Sequence, residues 1–119
     1  MRVLLVDDEH ELASTLAERL SIRDIEADWA TGGEDALRLA EEKTFDIAVL
    51  DVKIPRISGF ELKKRLHKKC PDLKFIFMTG HGSAAAFKAG AAEAGPENYL
   101  TKPVNIDTLI KKMNDVLTS

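Results

Sequence analysis

Three aspartates and one lysine lie at the ends of predicted strands in this chain of 119 residues. Asp7 and Asp8 follow one apolar run, Asp51 follows a second, and Lys102 follows Asn98-Tyr99-Leu100-Thr101 and precedes Pro103. A carboxylate at the end of a buried strand is costly to desolvate, so three that converge need a cation. A magnesium ion together with a lysine ammonium would supply that positive charge. This combination suits an aspartate that accepts a phosphoryl group.

Each acidic residue can be given a role from this chemistry. As a nucleophile, the Asp51 carboxylate would attack phosphorus and form an acyl phosphate. Asp8 and Asp51 would bind magnesium directly, Asp7 would act through water, and the backbone carbonyl of Lys53 is a further candidate ligand. Alternatively, Asp7 or Asp8 only caps the first helix, with Glu11 completing a capping box. Capping accounts for one aspartate but not for three, so their joint placement favours a metal site.

Two further residues could contact the phosphoryl group. Lys102 is a point charge on a long stem, which would pair with Asp51 before the reaction and with phosphoryl oxygens afterwards. Its bond to Pro103 can be cis at modest cost, and a cis bond would aim the lysine inward. Thr79 ends another apolar run, and its hydroxyl could donate to a phosphoryl oxygen or only satisfy its own loop. Gly80 leaves space beside it for the phosphoryl group.

The elements that would position these residues alternate between strand-like and helix-like apolar patterns. Runs without polar alternation, separated by helices, imply a parallel sheet covered on both faces, with ligands beyond the carboxyl ends of its strands. The predicted strands are 2–7, 26–30, 46–50, 73–78 and 99–100. The predicted helices lie at 9–22, around 36–40, around 60–66, at 84–94, where alanine dominates, and at 106–117.

Composition restricts the classes of function that remain. The chain is 45% hydrophobic, enough for a core on two faces, and its net charge of −3 gives no general attraction to nucleic acid or anionic membranes. Basic stretches such as 63–65 are expected to form a solvated helix face. Cys70 is the only cysteine, which excludes an intrachain disulfide. We find no apolar run of the roughly 18 residues that a membrane span needs and no signal peptide, so the expected location is cytoplasmic.

Four segments of the chain together resemble a known family. They occur in the expected order and spacing of a CheY-like response-regulator receiver domain of two-component signalling, and the resemblance covers essentially the whole chain. It implies an α/β fold, a doubly wound (βα)5 unit with a five-stranded parallel sheet in the order 2-1-3-4-5, and one receiver domain over residues 1–119. The segments are Val6-Asp7-Asp8-Glu9, Leu50–Pro55 with Ser58-Gly59, Met78–Gly82, and Tyr99–Pro103.

The resemblance also implies a function and partners. Asp51 would accept a phosphoryl group from a sensor histidine kinase or a phosphotransfer protein, with Mg²⁺ as cofactor. Thr79 and Tyr99 would form a switch that reshapes the face made by the alanine-rich helix, the last strand and the last helix. Such a phosphoprotein catalyses its own phosphorylation and slow dephosphorylation but is not otherwise an enzyme. The output domain or protein is unknown, the output face could form a homodimer, and no direct binding to nucleic acid or membrane is expected.

Two details of the chain bear on how such a switch would be tuned. Lys53 and His81 lie two residues beyond Asp51 and Thr79, and we expect their side chains to rim the site and set the lifetime of the acyl phosphate. The stretch between Thr79 and Lys102 is one residue longer than the resemblance leads us to expect. We assign the additional residue to 94–97, next to the output face.

Three other interpretations share parts of this pattern. A phosphatase of the haloacid-dehalogenase type would need a second acid two residues after the nucleophile, where this chain has Lys53. A flavodoxin would need a hydroxyl- and glycine-rich phosphate loop where this chain has Asp7, Asp8 and Glu9. The third alternative keeps the receiver fold but not the chemistry: an adaptor that binds a partner without phosphorylation.

Overall fold

Five parallel strands form a single sheet in the order β2-β1-β3-β4-β5, as the resemblance implies. The computed structural model describes residues 1–80 and 99–118. The strands are β1 (Arg2–Val6), β2 (Glu26–Ala30), β3 (Ile47–Asp51), β4 (Lys74–Thr79) and β5 (Tyr99–Thr101). The helices in the described ranges are α1 (His10–Ile22), α2 (Gly33–Glu42), α3 (Gly59–Lys69) and the C-terminal helix, here α4 (Ile106–Thr118). The helix predicted at 84–94, the residues 94–97 and His81 lie outside the described residues.

The sheet is buried on both faces, which is why its central strands carry uninterrupted apolar runs. In β1, Val3 and Leu5 belong to the apolar cluster that includes residues of α1 and α4. Leu4 and Val6 point to the other face and belong to the cluster that includes residues of α2 and α3. All four side chains are completely buried. Burial of such a side chain stabilises the fold by about 1.5–3 kcal/mol.

The strand register brings the residues of interest to one edge of the sheet. Asp51 is the last residue of β3, and Thr79 is the last residue of β4. Asp7 directly follows β1 and Lys102 directly follows β5. Parallel strands have their carboxyl ends on the same side, so these four residues share one edge. The aligned pairs near this edge are Val6–Leu50, Asp51–Met78 and Thr79–Thr101.

The beginnings of two helices show how the loops at this edge are held. The N-cap residue of α1 is Glu9 and not Asp8, so the helix does not begin with a capping box from Asp8 to Glu11. The side chain of Glu9 makes no capping hydrogen bond either. Helix α3 follows the expected pattern, because the Ser58 hydroxyl oxygen accepts the N–H of Glu61 at 3.1 Å.

Two further sequence-based expectations can be compared with the structure. The peptide bond between Lys102 and Pro103 is cis, the isomer that the sequence analysis considered. Within the described ranges, no helix combines the length and the apolarity needed to cross a membrane.

Candidate functional site

Three carboxylates meet at the carboxyl edge of the sheet. One carboxylate oxygen from each of Asp7, Asp8 and Asp51 lies within 4.8 Å of the others. Asp7 is completely buried and Asp51 is 5% exposed, whereas Asp8 is exposed. The sequence predicted this convergence because all three residues follow, or end, adjacent parallel strands. The base of the site is therefore formed by the buried Asp7 and Asp51, and its solvent-exposed side by Asp8.

Lys102 places its ammonium group among these acids. Its Nζ atom lies 2.7 Å from Oδ2 of Asp7 and 2.9 Å from Oδ2 of Asp51. A third oxygen, Oε1 of Glu9, lies 3.5 Å away. The pairing with Asp51 was expected from the sequence, but the shorter contact with Asp7 and the contact with Glu9 were not. Both depend on side-chain directions that the loops determine.

Two backbone amides fix the orientation of the buried carboxylates. The N–H of Glu9 donates to Oδ1 of Asp7 at 2.9 Å, and the N–H of Lys53 donates to Oδ1 of Asp51 at 3.1 Å. In each case the donor is two residues after the aspartate, which is the local pattern that aspartate favours in turns. Each carboxylate is thus held by backbone through Oδ1 and contacts Lys102 through Oδ2. This arrangement aims both Oδ2 atoms at the same point.

The balance of charge at the site favours a further cation. Burial raises the pKa of the Asp7 carboxyl above its usual value, and the hydrogen bond from Lys102 only partly offsets this. Burial alone would lower the pKa of Lys102, but its hydrogen bonds and charge interactions with Asp7 and Asp51 outweigh burial and raise it. One ammonium among several carboxylates is therefore strongly held, yet it leaves the cluster with excess negative charge.

The donor set fits magnesium. Carboxylate oxygens are the ligands that this hard ion prefers, and it binds through one or two of them while keeping several waters. The exposed Asp8 gives the cluster a side that water can reach. Asp7, Asp8 and Asp51 could hold the ion, and the backbone carbonyl of Lys53 remains a predicted ligand.

The loop after Asp51 is pressed against the strand that carries this residue. The N–H of Gly59 donates to the carbonyl oxygen of Val52 at 2.9 Å. A methyl group at Gly59 would overlap the carbonyl oxygen of Asp51, so a residue without a side chain is needed there. Within this loop Arg56 has a φ of 73°, in the left-handed region. The loop therefore packs closely against the backbone of Asp51 and Val52.

The two residues predicted to form a switch lie on β4 and β5. Thr79 is 5% exposed, and its carbonyl oxygen accepts the N–H of Lys102 at 2.8 Å. Tyr99 is 8% exposed, and its ring stacks on Phe77 with a centroid separation of 5.4 Å. Phe77 in turn packs edge-to-face on Phe60 at 4.9 Å. An aromatic row thus connects the ring of Tyr99 with α3, the helix that follows the loop after Asp51.

Of the two residues predicted to tune the lifetime of the acyl phosphate, only Lys53 is described. The side chain of Lys53 is exposed beside the site, and His81 lies outside the described residues. Among the described residues, Glu9 contacts the site although no role was predicted for it from the sequence. Its position directly after Asp8 was the available signal, but a glutamate at the start of a helix is common for reasons of helix polarity alone.

Comparison with known proteins gives a family. The family model described as the response regulator receiver domain matches residues 3–114. Among curated proteins, the response regulator MprA of Mycolicibacterium vanbaalenii is 32% identical over 117 residues, which is 98% of this chain and 50% of that protein. MprA of Mycobacterium leprae is also 32% identical, over 98% of this chain and 51% of that protein. The chain thus spans about half the length of the curated relatives it matches.

Solved structures agree with this result. A CheY-like receiver domain protein from Methanospirillum hungatei is 31% identical, with a TM-score of 0.86 and coverage of 98% of this chain and 93% of that one. NtrX from Brucella abortus, in a complex with ADP, is 26% identical with a TM-score of 0.87. The match covers 98% of this chain but 27% of NtrX.

Proposed function

We propose a phosphoacceptor function for this chain, which belongs to the response-regulator receiver family of two-component systems. In this proposal Asp51 accepts a phosphoryl group, and the change at Asp51 alters the surface of the domain. The observation that carries the proposal is the arrangement of Asp51 itself. Its Oδ1 is fixed by a backbone N–H, and its Oδ2 lies 2.9 Å from the ammonium of Lys102, beside two further carboxylates.

The reaction would be an in-line phosphoryl transfer. When bound by Asp7, Asp8, Asp51 and the carbonyl of Lys53, Mg²⁺ would supply positive charge between the carboxylates and the phosphoryl oxygens. A carboxylate oxygen of Asp51 bonds to phosphorus while the donor's P–N bond to histidine, or P–O bond to acetate, breaks. The leaving group takes the electron pair of that bond. Hydrolysis of the acyl phosphate then releases inorganic phosphate and restores Asp51.

Lys102 has one role before the phosphoryl transfer and another after it. Before transfer, its ammonium offsets part of the charge of Asp7 and Asp51, which lie at 2.7 and 2.9 Å. After transfer, the phosphoryl group offers charged oxygens to the same ammonium, which becomes their hydrogen-bond donor. The long flexible stem of lysine allows this change of partner without movement of the backbone.

The phosphoryl group would act on the rest of the domain through Thr79 and Tyr99. The Thr79 hydroxyl would donate to a phosphoryl oxygen, and the position of Tyr99 would respond to the space that Thr79 leaves. The aromatic row from Tyr99 through Phe77 to Phe60 supports a role for this ring, because it connects β5 with an element next to the Asp51 loop. Lys53 and His81 would tune the lifetime of the acyl phosphate from the rim.

The proposal extends to partners and location. The donor would be a sensor histidine kinase or a phosphotransfer protein that docks near α1, and the output would be a further domain or a separate protein. We treat residues 1–119 as one receiver domain and include a homodimer through the output face. A cytoplasmic location belongs to the same proposal, since a lone thiol such as Cys70 stays reduced there.

Incubation with acetyl phosphate and Mg²⁺, followed by mass spectrometry of the intact protein, tests this function. The wild-type protein should gain the mass of one phosphoryl group, and it should not do so when EDTA replaces Mg²⁺. Asp51→Asn should gain nothing, whereas Asp72→Asn, a change at an exposed aspartate, should behave as the wild type. No gain in the wild type, as expected of a phosphorylation-independent adaptor, or a gain that persists in Asp51→Asn, would refute the proposal.

A further inference from the structure

Glu9 is a third carboxylate partner of Lys102, and it differs from the other two. Its Oε1 lies 3.5 Å from Nζ of Lys102, and its side chain is 66% exposed. Asp7 and Asp51, in contrast, have side chains that are 0% and 7% exposed, and backbone N–H groups hold them in place. Glu9 therefore stands on the solvent side of the ammonium, where an incoming phosphodonor has to approach.

The position of Glu9 matters because the Lys102 ammonium can donate only a limited number of hydrogen bonds. The ammonium group has three N–H donors and no acceptor. The carboxylates of Asp7, Asp51 and Glu9 lie 2.7, 2.9 and 3.5 Å from this ammonium, and that of Asp51 accepts a hydrogen bond from it. A phosphoryl oxygen that approaches Lys102 therefore competes with these partners, and the exposed Glu9 is the one that can move at the lowest cost.

We infer that Glu9 is a positioning residue that holds Lys102 against incoming phosphodonors and makes the site discriminate among them by charge. This inference rests on the proposed phosphoacceptor function. The carboxylate of Glu9 competes with phosphoryl oxygens for the ammonium and repels a donor in proportion to the negative charge of that donor. A donor with fewer negative charges is penalised less, so the selectivity comes from the chain itself and does not require a docking partner.

The negative charge of Glu9 can be removed by a single substitution of nearly the same size. Glu9 is the N-cap residue of α1, but its side chain makes no capping hydrogen bond. Glu9→Gln therefore keeps the size and shape of the side chain and removes no hydrogen bond that stabilises the helix. Glu11 lies two residues further on, in the first turn of α1, and is also exposed. Glu11→Gln therefore makes the same change in net charge at the start of the same helix and serves as the matched control.

The experiment compares phosphorylation rates at donor concentrations below saturation. Acetyl phosphate carries two negative charges at neutral pH, and phosphoramidate, whose nitrogen is protonated, carries one. Relative to Glu11→Gln, Glu9→Gln should react with acetyl phosphate about threefold to tenfold faster. With phosphoramidate, the logarithm of the rate increase should be about half of that with acetyl phosphate. Both gains should shrink as salt is raised, because exposed charges are screened.

A second measurement needs no phosphorylation and follows Lys102 directly. In protein kept free of divalent ions, the NMR signal of the Lys102 ammonium, assigned by its loss in Lys102→Arg, should shift in Glu9→Gln and stay in place in Glu11→Gln. Equal rates for the two variants, equal gains with the two donors, or an unmoved ammonium signal would each overturn the role of Glu9. Failure of the underlying function looks different, because the wild type would then not be phosphorylated by either donor.

Discussion

Replacing the buried Asp7 with Asn should stabilise the protein in the absence of divalent ions. Asp7 is completely buried beside two other carboxylates, and burial raises the pKa of its carboxyl group. Asn keeps an oxygen that can accept the N–H of Glu9, and Lys102 keeps its pair with Asp51. Removing one partner of an isolated buried ion pair is destabilising because it leaves an uncompensated charge, whereas replacing a whole buried pair by neutral groups is often neutral or stabilising by about 1–4 kcal/mol. Because Lys102 keeps Asp51 as its partner and the cluster loses one excess carboxylate, we expect a gain of about 1–2 kcal/mol here.

The pH dependence of this gain follows from the direction of the pKa shift. The raised pKa of Asp7 means that the folded protein binds a proton at this site more tightly than the unfolded chain does. Ionisation of Asp7 therefore costs stability fully above its folded pKa. This cost disappears as the pH falls through the folded pKa to about 3.9, the usual value for an unfolded Asp. Asp7→Asn should accordingly gain most at pH 7–8 and progressively less in acid.

Magnesium should reverse the order of stability. An ion that binds only the folded state stabilises it by about 1.4 kcal/mol at ten times its Kd. The wild type should show this increase, whereas Asp7→Asn, which lacks one carboxylate of the cluster, should show less. Thermal unfolding with EDTA and with increasing Mg²⁺ measures both effects, and each kcal/mol corresponds to a change in Tm of about 4 °C for a domain of this size.

The control for this experiment is Asp72→Asn, which removes an exposed carboxylate and should change neither curve appreciably. A lower Tm for Asp7→Asn in EDTA at pH 7.5 would mean that the pair with Lys102 outweighs the cost of burial. A gain that does not vary with pH would show that ionisation of Asp7 is not its origin. An unchanged magnesium response would remove Asp7 from the metal site.

Two further predictions concern the loop after Asp51. Gly59→Ala should lower stability by about 1–3 kcal/mol, because the added methyl would overlap the carbonyl oxygen of Asp51. Gly80→Ala, where a methyl would meet no described atom within 4 Å, is the comparison, and equal Tm values for the two would contradict the packing argument. Ser58→Ala should cost about 1 kcal/mol in urea unfolding, because it removes the oxygen that accepts the N–H of Glu61. A cost no greater than that of Ser14→Ala, whose hydroxyl only donates to a carbonyl within α1, would show that this cap does not stabilise α3.

Local patterns in the sequence were sufficient for most of the described fold. The apolar runs predicted β1, β3 and β4 within a residue or two, because a strand buried on both faces needs apolar side chains along its length. The edge strand β2 also lies where it was predicted, although its residues are mostly not buried. The stripe of Leu12, Leu16 and Leu20 likewise predicted α1. The start of α1 was less predictable. Asp8 and Glu11 match a capping box, yet Glu9 is the N-cap residue, since the preceding turn uses Asp7 to accept the N–H of Glu9.

The sequence by itself determined that Asp7, Asp8, Asp51 and Lys102 would meet, because each of them ends or follows a strand and parallel strands end on the same side. Tertiary structure decided how they meet. The direction of each buried carboxylate depends on the turn after its strand, where the N–H of Glu9 donates to Asp7 and the N–H of Lys53 donates to Asp51. Only the folded loops bring Lys102 closer to Asp7 than to Asp51 and add Glu9 as its third partner.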